Sequence, residues 1–266
     1  MKKKYYKIWI IVFSIIILSS VFASLITKFN PYEVELTKVL IKPNKIHIMG
    51  TDSMGRDVFS RVLYGGRVSL SVALLSVLIS TTIGTLYGVI SGYFGGKVDS
   101  VMMRILDTFL AIPTLVIMLS LQSIIRGGIT SMIIIMGLTG WLQTARIVRS
   151  QVMSIKNKNY VKAARVLGTP TYKIMINHLL RNSLPAILVI SVLNCAQAVF
   201  TEVSMSFLGI GVPQGMPSWG SMLNCAQNDI LSGAWWIAFY PGIFTVISML
   251  SINFIGEGIK KKLAAY

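Results

Sequence analysis

The chain has 266 residues, of which 54% are hydrophobic and 13% charged, with 25 Lys and Arg against 9 Asp and Glu and a mean hydropathy of +0.70. A soluble globular domain does not combine so much apolar content with so few charges, so the composition excludes that class and points to an all-α polytopic membrane protein. The net charge of +16 does not indicate nucleic acid, because the basic residues sit at the borders of apolar segments and in one polar loop.

Six apolar segments, at about 8–26, 68–90, 102–125, 131–149, 184–206 and 236–256, are each roughly 20 residues long, enough for a helix to cross a hydrocarbon core about 30 Å thick. Six transmembrane helices are therefore expected. The chain divides into residues 1–67 (a first span and an extracytoplasmic segment), 68–258 (a core of five spans) and 259–266 (a basic tail). Lys2, Lys3 and Lys4 before the first apolar run resemble a secretory signal, but no small-residue cleavage site follows, so an uncleaved span is expected. Six crossings leave both termini on one side. Most of the 25 basic residues then fall on that side, which makes it the cytoplasm.

In chain order, segment 27–67 is punctuated as turns by Asn30-Pro31 and Lys42-Pro43-Asn44. It continues through His47, Gly50, Thr51, Asp52, Gly55, Arg56 and Asp57 into a stretch where Val58, Phe59, Val62 and Leu63 share a helical face. An amphipathic helix approaching the second span is expected there. Asp52 would cap a short turn and Asp57 the approach helix, with Asp52, Arg56 and Asp57 partly exposed or matched.

Gly92 to Asp99 reads as a sharp reversal, with Asp99 as N-cap of the third span. Arg104 and Asp107, three apart, would pair on one helical face or serve as a gating or docking contact. A basic loop over 150–183 follows the fourth span, which ends near Arg146 and Arg149. Within it Tyr160 to Leu167 can make two helical turns, Gly168 breaks them, and Pro170 starts a new helix. Such a piece is either a docking element for a soluble partner or an amphipathic helix in the headgroup layer.

Glu202 is the one acid well inside an apolar segment. A carboxylate at that depth needs a partner or a watery path, so it is expected either to line a route or to contact a second subunit. The Gly- and Pro-rich run from Leu208 to Pro217 breaks the helix that follows, and Trp219, Trp235 and Trp236 read as interface anchors. Cys195 and Cys225 suggest neither a disulfide framework nor a metal site, and Cys225 is expected in an external loop. His47 and His178 lie on opposite sides of the membrane in this reading, which argues against an intramembrane hydrolase.

These pieces together resemble the C-type permease subunits of ATP-binding-cassette importers of the dipeptide, oligopeptide and nickel group. The run from His47 to Arg61 with Tyr64 to Leu70, the turn from Gly92 to Asp99, and Ser206 to Gly211 followed by Trp219-Gly220 carry the likeness. Lys162-Ala163-Ala164 and Gly168 resemble the cytoplasmic Glu-Ala-Ala…Gly element of such permeases, with Lys162 where Glu is common. The resemblance implies the type I importer permease fold in a bacterial inner membrane. It implies a heterodimer with a second permease, two ATPase subunits that use ATP and Mg, and an extracytoplasmic substrate-binding protein. The chain has no Gly-x-x-x-x-Gly-Lys-Ser/Thr loop, so this subunit is expected to bind no cofactor and not to be an enzyme.

The resemblance makes short peptides the expected cargo. Nickel or a metal chelate is the alternative within the family. An ion-coupled secondary transporter is the alternative outside it, disfavoured because no inverted repeat is visible and few acids lie at mid-membrane.

Overall fold

The computed structural model describes residues 5–125, 128–213 and 215–263, all of them helix, turn or extended connection. Lys2, Lys3 and Lys4 and residues 264–266 of the basic tail lie outside the described residues. The helices are α1 (Tyr5–Val21), α2 (Ala23–Ile26), α3 (Val58–Phe94), α4 (Gly96–Leu110), α5 (Thr114–Ile124), α6 (Gly128–Lys156), α7 (Asn159–Val166), α8 (Thr171–Phe207), α9 (Trp219–Asp229) and α10 (Trp236–Leu263). Both described ends of the chain lie at one end of the bundle, where Tyr6 meets Gly258 and Trp9 stacks on Phe254 at 4.9 Å. Residues 27–57, 208–213 and 215–235 cover the far end.

Four helices, α3, α6, α8 and α10, are long and apolar enough to cross a membrane, and α4 with α5 makes a fifth if the pair counts as one span. The expected six is met only to this extent. The third apolar segment bends by 79° between Leu110 and Thr114, where Pro113 cannot donate to the turn before it. The first segment forms a described helix of 17 residues, or about 25 Å of rise, short of the full core thickness.

The expected approach helix and second span are one uninterrupted helix, the 37 residues of α3. Its main partner is α6, which runs parallel to it, and glycines at every fourth position let the two backbones close up. A Cβ on Gly84 would stand 2.7 Å from the Trp141 carbonyl oxygen, on Gly88 2.6 Å from that of Ala145, and on Gly92 2.9 Å from that of Arg149. Most of the expected 150–183 loop is likewise helical. Residues up to Lys156 extend α6, and those from Thr171 extend α8 through a π-helical stretch, Ile174–Leu180.

Several side chains find partners that sequence neighbours do not offer. Asp99 is not an N-cap: Gly95 caps α4, and the Asp99 carboxylate accepts from Ser91 Oγ at 2.5 Å and pairs with Arg149 of α6. Asp107 pairs with Arg146 of α6 rather than with Arg104, because α4 lies across the face of α6 that carries both arginines. Trp219 and Trp236 are buried rather than interfacial, donating their indole N–H to the Val62 and Thr51 carbonyls at 3.0 and 3.1 Å, whereas Trp235 is exposed. Cys225 lies on the exposed face of α9 rather than in a loop.

Candidate functional site

At the end of the bundle that carries the chain termini, α6 and α8 emerge with α7 between them. Val161 anchors α7, fully buried against a cluster that includes Ile155, Ile174 and Leu179. The Arg165 guanidinium lies over the Tyr93 ring at 5.5 Å, tying α7 to the end of α3. Lys156 reinforces that end by donating Nζ to the carbonyls of Gly92 and Tyr93 at 2.8 and 3.3 Å, where helical carbonyls lack partners.

Lys162 and Ala163 face solvent and Ala164 is half-buried. The helix stops in a Schellman turn. Gly168 takes φ +77°, its N–H bonds the Arg165 carbonyl at 3.0 Å, and the Thr169 N–H reaches back to Ala164 at 3.0 Å. An extended Pro170 then redirects the chain into α8. The turn leaves Val166 and Leu167 87% and 84% exposed, with Tyr160 and Tyr172 exposed nearby. Two aliphatic side chains bared among lysines and arginines make a surface suited to another protein. Leu167 therefore points away from the chain instead of packing with Ala163 and Ala164.

At the far end, Gly50 to Asp57 closes a compact knot. Asp52 Oδ1 accepts from the Met54 and Arg56 N–H groups, both at 2.9 Å, and Oδ2 accepts from Arg56 Nε at 2.7 Å with Arg61 Nε 3.6 Å away. Asp57 caps α3 by accepting from the Ser60 N–H at 2.8 Å, and its other oxygen meets His47 Nδ1 at 2.9 Å. The Thr51 hydroxyl donates to the Lys38 carbonyl at 2.5 Å and accepts from the Ile41 N–H at 2.8 Å. Gly50 and Gly55 hold φ of +76° and +73°, with the Gly55 backbone pressed on the Glu35 carbonyl. Asp52, Arg56, Asp57, Arg61 and His47 are all buried and all matched, which is what makes burial of so much charge tolerable. His47 and Arg61 had been read only as part of a motif. The spacing of Arg61, one turn after the Asp57 cap, was the available signal.

Glu202, expected on a route or against a second subunit, is fully enclosed by its own chain. Its Oε1 accepts from Ser206 Oγ at 2.9 Å, and the hydroxyls of Ser69 and Ser218 approach the same carboxylate. Each serine oxygen also accepts a backbone N–H: Val212 to Ser206 at 3.2 Å, Trp219 to Ser69 at 3.2 Å, and Ser221 to Ser218 at 3.0 Å. Of the three, Ser206 donates to the carboxylate within hydrogen-bonding distance, and Glu202 Oε2 has no hydrogen-bond partner among the described residues. One acid gathers α3, α8 and the start of α9 about a single point.

A model of the family described as "binding-protein-dependent transport system inner membrane component" matches residues 84–265. The chain is 38% identical over 228 residues to the dipeptide transport system permease protein DppC of Bacillus subtilis, covering 86% of this chain and 71% of the relative. It is 35% identical over 254 residues to the oligopeptide transport system permease protein OppC of the same organism, covering 96% and 83%.

Proposed function

Because the chain belongs to the family of binding-protein-dependent transport system inner membrane components, we propose that it is the permease subunit of an ATP-driven importer of short peptides. The observation that carries the reading is α7, a short helix with two bared aliphatic residues projecting from the end of a membrane-spanning bundle. An ATPase subunit docks on Lys162, Ala163, Ala164 and the turn at Gly168. ATP is hydrolysed with Mg in two such partners, and this subunit transmits their motion.

In this reading α1, α3, the bent α4–α5 pair, α6, α8 and α10 make six crossings of a bacterial inner membrane. Both termini and α7 are cytoplasmic, in line with Lys158, Lys162, Arg165, Lys173 and Lys260 to Lys262 at that end. The knot from Gly50 to Asp57 faces outward, where a substrate-binding protein delivers cargo, and a second permease completes the pore. Peptides are preferred to nickel chelates because the two relatives described above carry dipeptide and oligopeptide transport in their names.

The test is uptake of labelled di- and oligopeptides into proteoliposomes holding the whole complex, with binding protein outside and ATP inside. ATP-dependent peptide uptake is expected. Uptake of nickel chelates but not peptides would overturn the cargo, and peptide uptake driven by a proton gradient without the ATPases would overturn the mechanism.

A further inference from the structure

A cavity of about 610 Å³ opens between α3, α5, α6 and α8, apart from both the α7 elbow and the far-end knot. Its wall carries three carboxamides, Gln143, Asn194 and Gln197, with the hydroxyls of Ser80, Thr139 and Thr201 among the other polar lining groups. No ionisable side chain lines it among the described residues. Glu202, next to Thr201 in sequence, is turned away into its serine cluster. The nearest charge along α6, Arg146, is held by Asp107.

The depth of these amides is the telling feature. Gln143 sits at the middle of α6, whose 29 residues run from Gly128 to Lys156. Gln197 and Asn194 lie ten and thirteen residues before Phe207, the end of α8, which is about 15–20 Å of helix at 1.5 Å per residue. All three therefore stand near the plane where hydrocarbon would be deepest. Gln143 and Gln197 are exposed on the surface of the chain. An uncovered carboxamide facing lipid costs several kcal/mol, roughly 4–8 on a water-to-hydrocarbon scale, so this concave face does not meet lipid. Asn194 is already oriented, its Nδ2 donating to Thr144 Oγ1 at 3.0 Å, which leaves its carbonyl oxygen free to accept.

We propose that Gln143, Asn194 and Gln197 are cargo-contacting residues of the pore, forming an uncharged hydrogen-bonding wall that recognises the peptide backbone and is indifferent to cargo side-chain charge. This rests on the reading of the chain as a peptide-import permease. A carboxamide both donates and accepts, as does a peptide group, so it can exchange partners along a moving chain whatever its sequence. A fixed charge at this depth would hold oppositely charged cargo and repel the rest.

The experiment uses the whole complex in proteoliposomes with three cargoes: trialanine, Ala-Glu-Ala and Ala-Lys-Ala, each at a concentration saturating the binding protein. The native complex should import all three at similar rates. Gln197→Glu should lower uptake of Ala-Glu-Ala relative to Ala-Lys-Ala by roughly tenfold, and Gln197→Lys should invert the preference. Gln197→Leu serves as the variant that any lipid-facing or purely packing role would accept. It should assemble normally and lose roughly tenfold in uptake of all three cargoes, as backbone hydrogen bonds are forfeited.

Native cargo ratios in both charged variants, or full uptake by the assembled Gln197→Leu complex, would overturn the assignment. Loss of assembly in Gln197→Leu would also overturn it, by making the site a subunit contact. A native complex that imports none of the three peptides would instead overturn the peptide-import reading itself, and this inference with it.

Discussion

The Ser206 hydroxyl donates to Glu202 Oε1 across 2.9 Å while its own oxygen accepts the Val212 N–H at 3.2 Å. A buried carboxylate thus fixes the start of the Gly- and Pro-rich run that follows α8, through a side chain one helical turn away. With Ser69 and Ser218 on the same carboxylate, Glu202 acts as a brace between α3 and the far-end cover.

Removing the brace should cost stability before it costs selectivity. Glu202→Ala leaves the buried Ser206 hydroxyl without its acceptor and opens a void beside Ser69 and Ser218, and should destabilise the subunit by about 1–3 kcal/mol. Glu202→Gln keeps an acceptor oxygen and should cost less. Thermal melts of the detergent-solubilised complex check the order. A Gln variant as unstable as the Ala variant would show that an acceptor oxygen is not what matters there.

Gly168→Val places a β-branched residue at φ +77°, where only glycine and a few polar residues sit without strain. Nothing lies within 4 Å of a Cβ built there, so the penalty is local to the turn. The variant should insert and assemble its spans normally yet lose ATP-driven uptake as the elbow rearranges, while Gly168→Asn should retain much of it. Uptake by the two variants, normalised to membrane content, decides the point.

Arg56→Ala strips the close partner from Asp52, leaving Arg61 at 3.6 Å as its remaining cation. The loss should fall at the low end of about 3–5 kcal/mol, since one cation stays. Reduced assembly with unchanged cargo preference is expected. A selectivity change in a fully assembled complex would reassign the knot to cargo recognition.

Gly88→Leu should separate α3 from α6, because its Cβ would meet the Ala145 carbonyl at 2.6 Å and neither backbone has room to retreat. Overpacking of this kind costs about 1–3 kcal/mol or more, and a sharp fall in folded yield is the readout. Leu74, exposed on the same helix, should tolerate replacement by Ile with little effect on yield.

What could be read along the chain was whatever depends on near neighbours. Asp57 caps α3 because its carboxylate reaches the N–H three residues on, and Gly168 breaks α7 because it needs no Cβ; both are visible in a short window. The apolar lengths of α3, α6, α8 and α10 were visible for the same reason. Pairings across the fold were not. Arg104 is the closest cation to Asp107 in sequence, yet Arg146 takes it, because the angle of α4 on α6 is set by helix packing. Tryptophan at a span end suits the headgroup layer and a buried hydrogen bond equally, and only the placement of Val62 and Thr51 beneath the rings settles Trp219 and Trp236. Gly92 reads along the chain only as part of a turn, and its place with Gly84 and Gly88 in a ladder against α6 shows only in the fold.

The continuity of α3 carries a mechanical consequence. Its 37 residues span about 55 Å, from the Asp57 cap inside the far-end knot to Phe94 beside α7, and no proline interrupts it. Both α8 and α10, by contrast, contain one, at Pro185 and Pro241. With Lys156 and Arg165 fastening its lower end to α6 and α7, the helix works as a connecting rod. In the proposed importer, a tilt imposed at the α7 turn would reach the opposite face undivided.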